Sequence, residues 1–160
     1  MEKLRKIWFE MEAFFMFGFI IALISGALMS VQGVFNTEVT KQSSTWTTSS
    51  FVQLTGFLAC ILVWAATEHD KSFLMLAKVH PKYLLLGGVF GAAITFTVIK
   101  SVAALGPAQS AMLIVASQVI VSYLIEVFGL FGTDKSGFQW IKLIGVVLFI
   151  TGLVIFKWKS

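Results

Sequence analysis

Charge is absent from five long stretches of the chain: Ala13 to Thr37, Gln42 to Thr67, Tyr83 to Ile99, Ser101 to Ile125, and Leu143 to Phe156, the last extendable back to Phe138 across Lys142. Four reach or nearly reach the ~20 residues that cross ~30 Å of hydrocarbon, and the fifth does so once Lys142 snorkels to an interface. The pattern predicts an all-α membrane protein of five transmembrane helices, at about 13–35, 47–67, 83–103, 107–131 and 138–157. Short connections join them: KQSSTW, EHDKSFLMLAKVHPK, ALGP and GTDKSG. Pro107 suits the first turn of the fourth helix, where its missing N–H costs nothing, with Gly106 supplying the turn before it. Such connections leave no room for a catalytic domain outside the membrane, so any site lies inside the bundle or between copies of it.

The first apolar segment, 23 residues from Ala13 to Phe35, is too long for a signal-peptide core, and no small-residue cleavage site closes it. It is expected to remain as the first helix. Ahead of it, MEKLRKIWFEME (1–12) mixes basic, acidic and aromatic residues and is expected to be a charged interfacial segment, as an interfacial helix or a frayed tail, with 13–160 forming one transmembrane domain.

Composition agrees with the pattern: 58% of residues are hydrophobic and 12% charged, against roughly half and a quarter in a soluble domain. A net charge of +4 does not imply nucleic acid, because the basic residues sit in loops and ends and form no stripe. They act as topology signals. With five spans, Lys3, Arg5, Lys6, Lys71, Lys78, Lys82 and Lys135 fall on the amino-terminal side, and Lys41, Lys157 and Lys159 on the other. That balance favours a cytoplasmic amino terminus, while insertion in both orientations stays open. Cys60, the single cysteine, lies in the second apolar run and offers neither a disulfide nor a thiolate metal site within one chain.

The polar residues at membrane depth are few enough to sort by face. Ser25, Met29, Gln32 and Asn36 follow i, i+4, i+7, i+11 spacing on the first helix, and Gln118, Ser122 and Glu126 step by four on the fourth. Two polar stripes of this kind can line one cavity. The amides Gln32, Gln53 and Gln118 can equally act as interhelical hydrogen-bonding glue at perhaps ~0.6 kcal/mol each, and the serines and threonines can bond back to their own helices. Glu126 stands out, because an acidic residue at the centre of a lone membrane helix costs about 2.5 to 3.5 kcal/mol. It should face a cavity or a partner, be protonated, or lie near a hydrated interface. A fourth helix ending near Phe131 would put it about 7 to 8 Å from that end. Lys100, at the end of the third helix, is explained by snorkelling, and it falls at the opposite membrane face from Glu126 within one protomer. His69 and His80 belong to a loop and show no metal-ligand spacing. Small residues in GGVFGAA (Gly87 to Ala93) and Gly145 with Gly152, seven apart on the fifth helix, permit close helix approach, either as internal packing or as a subunit seam.

Four segments carry a resemblance: "SGALMSVQGVFNTEV" (Ser25 to Val39), "GGVFGAA", "ALGPAQSAMLIVASQVIVSYLIEVFGLFG" (Ala104 to Gly132) and the closing "IGVVLFITGLVIF". In these the chain resembles the YdcZ-like family, the short five-helix branch of the drug/metabolite transporter superfamily, over roughly Ala22 to Phe156. The resemblance implies half of a ten-helix transporter built from two inverted repeats, hence a dimer, with two copies antiparallel and the last helix as their seam at Gly145 and Gly152. It implies Gln32, Asn36, Gln118, Ser122 and Glu126 as the substrate pathway, and a bacterial or archaeal cytoplasmic membrane as the location. The charged start, Lys100, and Glu126 in place of Asp depart from the family's usual pattern.

The expected function is that of a secondary transporter of a small polar solute, working as an antiparallel homodimer by alternating access. A heterodimer with an oppositely oriented partner, and a non-transporting or lipid-handling membrane protein, are the alternatives. No nucleophile, acid–base pair or metal set stands at membrane depth, so neither enzymatic activity nor a cofactor or metal is expected.

Overall fold

The computed structural model describes residues 1–68 and 70–157, without the side chains of 2–4 and 157; His69, Trp158 and Lys159, named above, lie outside the described residues. Five α-helices follow in order: α1 Glu2–Lys41, α2 Thr45–Thr67, α3 Gly87–Leu105, α4 Pro107–Phe128 and α5 Trp140–Lys157. Short 3-10 turns at Phe73–Lys78 and Lys82–Leu86 fill the connection between α2 and α3, and another follows α4 at Leu130–Gly132. Among the described residues there is no strand. Four of the helices are long and apolar enough to cross a membrane. The fifth, α5, has 18 residues, about 27 Å at 1.5 Å per residue.

Several element bounds differ from those the sequence pattern predicted. Residues 2–12 are helical and continuous with the first span, so α1 is 40 residues, or about 60 Å, twice the hydrocarbon thickness. The third helix opens as a 3-10 turn before becoming α-helical at Gly87. The fourth stops at Phe128 rather than near Phe131, because Gly129 adopts the left-handed conformation (φ 65°) and its N–H bonds the Ile125 carbonyl. Glycine at that position closes a helix without a Cβ penalty. Glu126 is therefore two residues, about 3 Å, from the end of its helix.

Close packing divides the chain into two units, Met1–Ile99 and Lys100–Ser160. In the first, α1 packs on α2 through hydroxyls where a soluble protein would use apolar side chains. Thr48 and Ser49 are buried at the start of α2, and Asn36 and Thr37 near the end of α1. Thr40 Oγ1 lies 3.0 Å from Thr48 Oγ1, and Ser43 Oγ lies 2.9 Å from the same atom. Ser44 caps α2 by accepting from the Thr47 N–H at 3.1 Å, satisfying one of the free donors of a helix N-terminus. Trp46 stacks on Phe96 of α3 with ring centroids 4.6 Å apart. A Cβ on Gly91 would come within 3.2 Å of Gln53 Nε2, so one glycine of the GGVFGAA run marks a close approach between α3 and the Gln53 side chain of α2. Ser25, Ser30, Thr95 and Thr97 all donate to carbonyls one turn back in their own helices.

In the second unit α4 and α5 form an antiparallel hairpin. Ser101 of α3 donates to the fully buried Ser110 of α4 at 3.0 Å, tying the short ALGP turn. At the other end of the hairpin, the Ser136 N–H caps the Glu126 carbonyl at 3.0 Å and the Thr133 hydroxyl donates to the Leu130 carbonyl at 2.8 Å. These bonds satisfy carbonyls that a helix C-terminus leaves free.

Candidate functional site

Glu126 has a partner inside its own chain. Lys142 Nζ, in the first turn of α5, lies 2.8 Å from Glu126 Oε2. Each charge sits at the unfavourable end of its own helix, a carboxylate at a C-terminus and an ammonium at an N-terminus. Across the hairpin the sense reverses: Glu126 stands beside the N-terminus of α5, and Lys142 beside the C-terminus of α4. The pair thus offsets both mismatches, and it supplies the partner that a carboxylate in an apolar run requires. The side chains remain 49% and 41% exposed, so the pair is a surface pair of the groove wall, not a sealed ion pair.

The frame around the pair is set by Tyr123, one turn before Glu126. Its hydroxyl accepts from the Gln139 N–H at 2.8 Å and donates to the Gln139 carbonyl at 3.1 Å, which fixes where α5 begins. Lys142 Nζ lies 5.7 Å from the centre of the Tyr123 ring, within reach of a cation–π attraction of about 0.5–1 kcal/mol. Phe138 adds an edge against Trp140, centroids 5.0 Å apart. An aromatic cluster of this composition suits a membrane interface.

A groove of about 560 Å³ runs from this pair along the hairpin, lined by Gln118, Ser122 and Glu126 on α4 and by Lys142, Gly145 and Phe149 on α5, among others. Three of the sequence-predicted pathway residues therefore share one concavity, spaced by single helical turns over about 12 Å. Gly145, expected on a subunit seam, lines the same groove. Gln32 and Asn36 line a separate depression of about 430 Å³ with Leu28, Met29 and Phe35. This one belongs to the first unit. Asn36 is buried and its carbonyl accepts from the Thr40 hydroxyl at 2.8 Å, while Gln32 is exposed.

The sequence pattern marks Lys142 only as a charge that must snorkel, and it singles out neither Tyr123 nor Gln139. The signal for Lys142 was present: Glu126 and Lys142 are the lone charges of their apolar runs, and the midpoint of 126 and 142 is Asp134, the centre of GTDKSG. A symmetric hairpin about that turn brings the two side by side. Nothing comparable marks Tyr123, since its pairing is with backbone. Beside Gly145 and Gly152 no described atom lies within 4 Å of where a Cβ would be. Among the described residues no group of three or more His, Cys, Asp or Glu is placed to hold a metal ion.

Comparison with known proteins gives one family. Residues 17–155 match the model of the family described as "Putative inner membrane exporter, YdcZ". No curated protein and no solved structure matches the chain. Because the match takes in every apolar helix, including all of α2 to α4 and the groove residues of α5, the chain belongs to the YdcZ-like family of the drug/metabolite transporter superfamily and is a multi-pass membrane protein.

Proposed function

We propose that the chain is one protomer of an antiparallel homodimeric exporter that moves a small polar solute by alternating access, with all five helices crossing the membrane. The observation that carries the proposal is the α4–α5 groove: Gln118, Ser122 and the Glu126–Lys142 pair form a continuous polar track along an otherwise apolar hairpin. A polar track facing lipid would be costly, whereas one facing a water-filled path is the arrangement that transport requires. The outward direction follows the description of the family. Gln32 and Asn36 on α1 are proposed as further pathway residues, and the open faces of Gly145 and Gly152 as a seam for the second copy. In an antiparallel pair each membrane face carries one Glu126–Lys142 mouth, so exchange of the two protomer conformations alternates access between equivalent mouths.

Two labelling measurements test this in a Cys60→Ser background. Single cysteines at positions 3 and 160 should both react with an impermeant thiol reagent applied to intact cells; reaction at position 160 alone would mean one fixed orientation and favour an oppositely inserted partner encoded elsewhere. Single cysteines replacing Gln118 and Ser122 should react with a small hydrophilic thiol reagent. One replacing Val121, exposed on α4 outside the groove, should not. Equal inertness at all three positions would refute a water-filled path.

A further inference from the structure

We infer that the α4–α5 groove takes a small zwitterion with an apolar body, its cationic group received by Glu126 and its anionic group by Lys142. This rests on the groove being a solute path, and it names the class of solute.

Charge balance leads to that class. The lining carries one carboxylate and one ammonium, 2.8 Å apart, and its remaining members are uncharged. A solute cation that takes Glu126 leaves the Lys142 ammonium without its counter-charge, and a solute anion that takes Lys142 strands Glu126 in the same way. A neutral solute gains nothing from opening the pair. Only a molecule bearing both charges replaces one ion pair by two, leaving neither protein group unpaired as water is excluded. Separation of the pair is also structurally permitted, because it is not what holds the hairpin together. That role falls to Tyr123, whose hydroxyl engages both the N–H and the carbonyl of Gln139, and to the Ser136 cap on the Glu126 carbonyl. Lys142 and Glu126 act through flexible side-chain ends on a frame that stays closed without them.

Shape supplies the rest. Behind the charges, Val146 and Phe149 form an apolar wall opposite Gln118 and Ser122, a mix of mostly apolar lining and a few polar anchors typical of small-ligand sites. A volume of about 560 Å³ leaves ample room for a solute the size of an amino acid. The same chemistry exists in a lipid headgroup that carries an amine and a phosphate, so the source of the zwitterion is part of the test.

The experiment uses the full chain in phosphatidylglycerol nanodiscs and radiolabelled leucine as probe, displaced by leucine itself, leucinamide (cation) or N-acetylleucine (anion). Leucine should bind, with both singly charged analogues weaker by about tenfold or more, the factor that corresponds to 1.4 kcal/mol. Glu126→Gln and Lys142→Gln should each lose a similar factor, and the exchanged pair Glu126→Lys/Lys142→Glu should recover it. The wild-type comparison of the three ligands stands even if a variant does not fold. Adding phosphatidylethanolamine to the discs assigns the source: displacement of leucine places the same chemistry on a headgroup, and no displacement places it on a soluble solute. Equal displacement by leucine and either analogue overturns the inference. So does absence of leucine binding; if a cysteine at Ser122 still reacts with the hydrophilic reagent, the solute path survives that result, and if it does not, both fall.

Discussion

Removing the Tyr123 hydroxyl should loosen the start of α5 and nothing else. Tyr123→Phe keeps the ring, and with it the tilted contact with Phe138 at 6.3 Å, but deletes two hydrogen bonds to Gln139. The two losses are not equal. The Gln139 carbonyl also accepts from the N–H groups of Lys142 and Leu143 at 3.1 and 3.3 Å, so it stays satisfied. For the Gln139 N–H, Tyr123 is the protein acceptor identified, and an orphaned donor costs about 1–3 kcal/mol if it is kept from water. Gln139 is exposed at the end of the hairpin, and water there recovers part of the loss, so about 1–2 kcal/mol is expected, roughly a 5- to 30-fold change in a local opening equilibrium. Amide hydrogen exchange of the protein in nanodiscs reads this directly: the Gln139 amide should exchange faster by that factor in Tyr123→Phe. The Thr48 amide, bonded to the Ser44 carbonyl at 2.9 Å in the other unit, should keep its rate. Exchange at Gln139 within twofold of wild type would refute the role given to Tyr123, and with it the claim that the hairpin stays closed when the ion pair opens.

Three further substitutions probe separate parts of the account. Gly129→Ala places a Cβ on a left-handed residue and within 3.2 Å of Lys135 Cβ, and thermal unfolding should show a loss of about 1–2 kcal/mol, whereas an unchanged midpoint would mean that α4 does not need this termination. Ser44→Ala removes the cap on the Thr47 N–H and should cost about 1 kcal/mol by the same measurement; no loss would show that the KQSSTW turn is held by its other hydroxyls. A Cβ at Gly152 meets nothing within 4 Å among the described residues beyond its own helix backbone and chain neighbours, so in Gly152→Leu the protomer should melt as before while cross-linking shows the dimer lost; an intact dimer would remove α5 from the seam.

The fold was largely legible because a bilayer leaves the chain few choices. Backbone polar groups must be satisfied within each apolar run, so runs of adequate length become helices whatever their detailed sequence. The positions where the prediction missed are those where local backbone chemistry decides. Gly129 ends α4 three residues before the apolar pattern does, since Leu130 and Phe131 continue the hydrophobicity but not the helix. The charged start joins α1 for the converse reason: its residues alternate in polarity, which reads as interfacial, yet none of the first twelve is Gly or Pro, and nothing stops the helix of the first span from propagating back through them.

The site was legible by residue type and illegible by partnership. Spacing of four on α4 was enough to put Gln118, Ser122 and Glu126 in one groove, because face membership depends only on helical period. What an isolated carboxylate is for depends on its neighbour across the turn, and in the sequence each charge has its own explanation: snorkelling for Lys142, and a cavity, a partner, protonation or a hydrated interface for Glu126. Each explanation was sufficient by itself, so nothing forced the two together. The hairpin couples them. Two unrelated penalties at the same depth become one neutral pair, and the question moves from why a charge is tolerated to why both are kept where an apolar residue at each position would pack without any penalty. The hairpin has other closures, in Tyr123 and the turn hydroxyls. A pair half-open to the groove is what the proposed zwitterionic solute would require there.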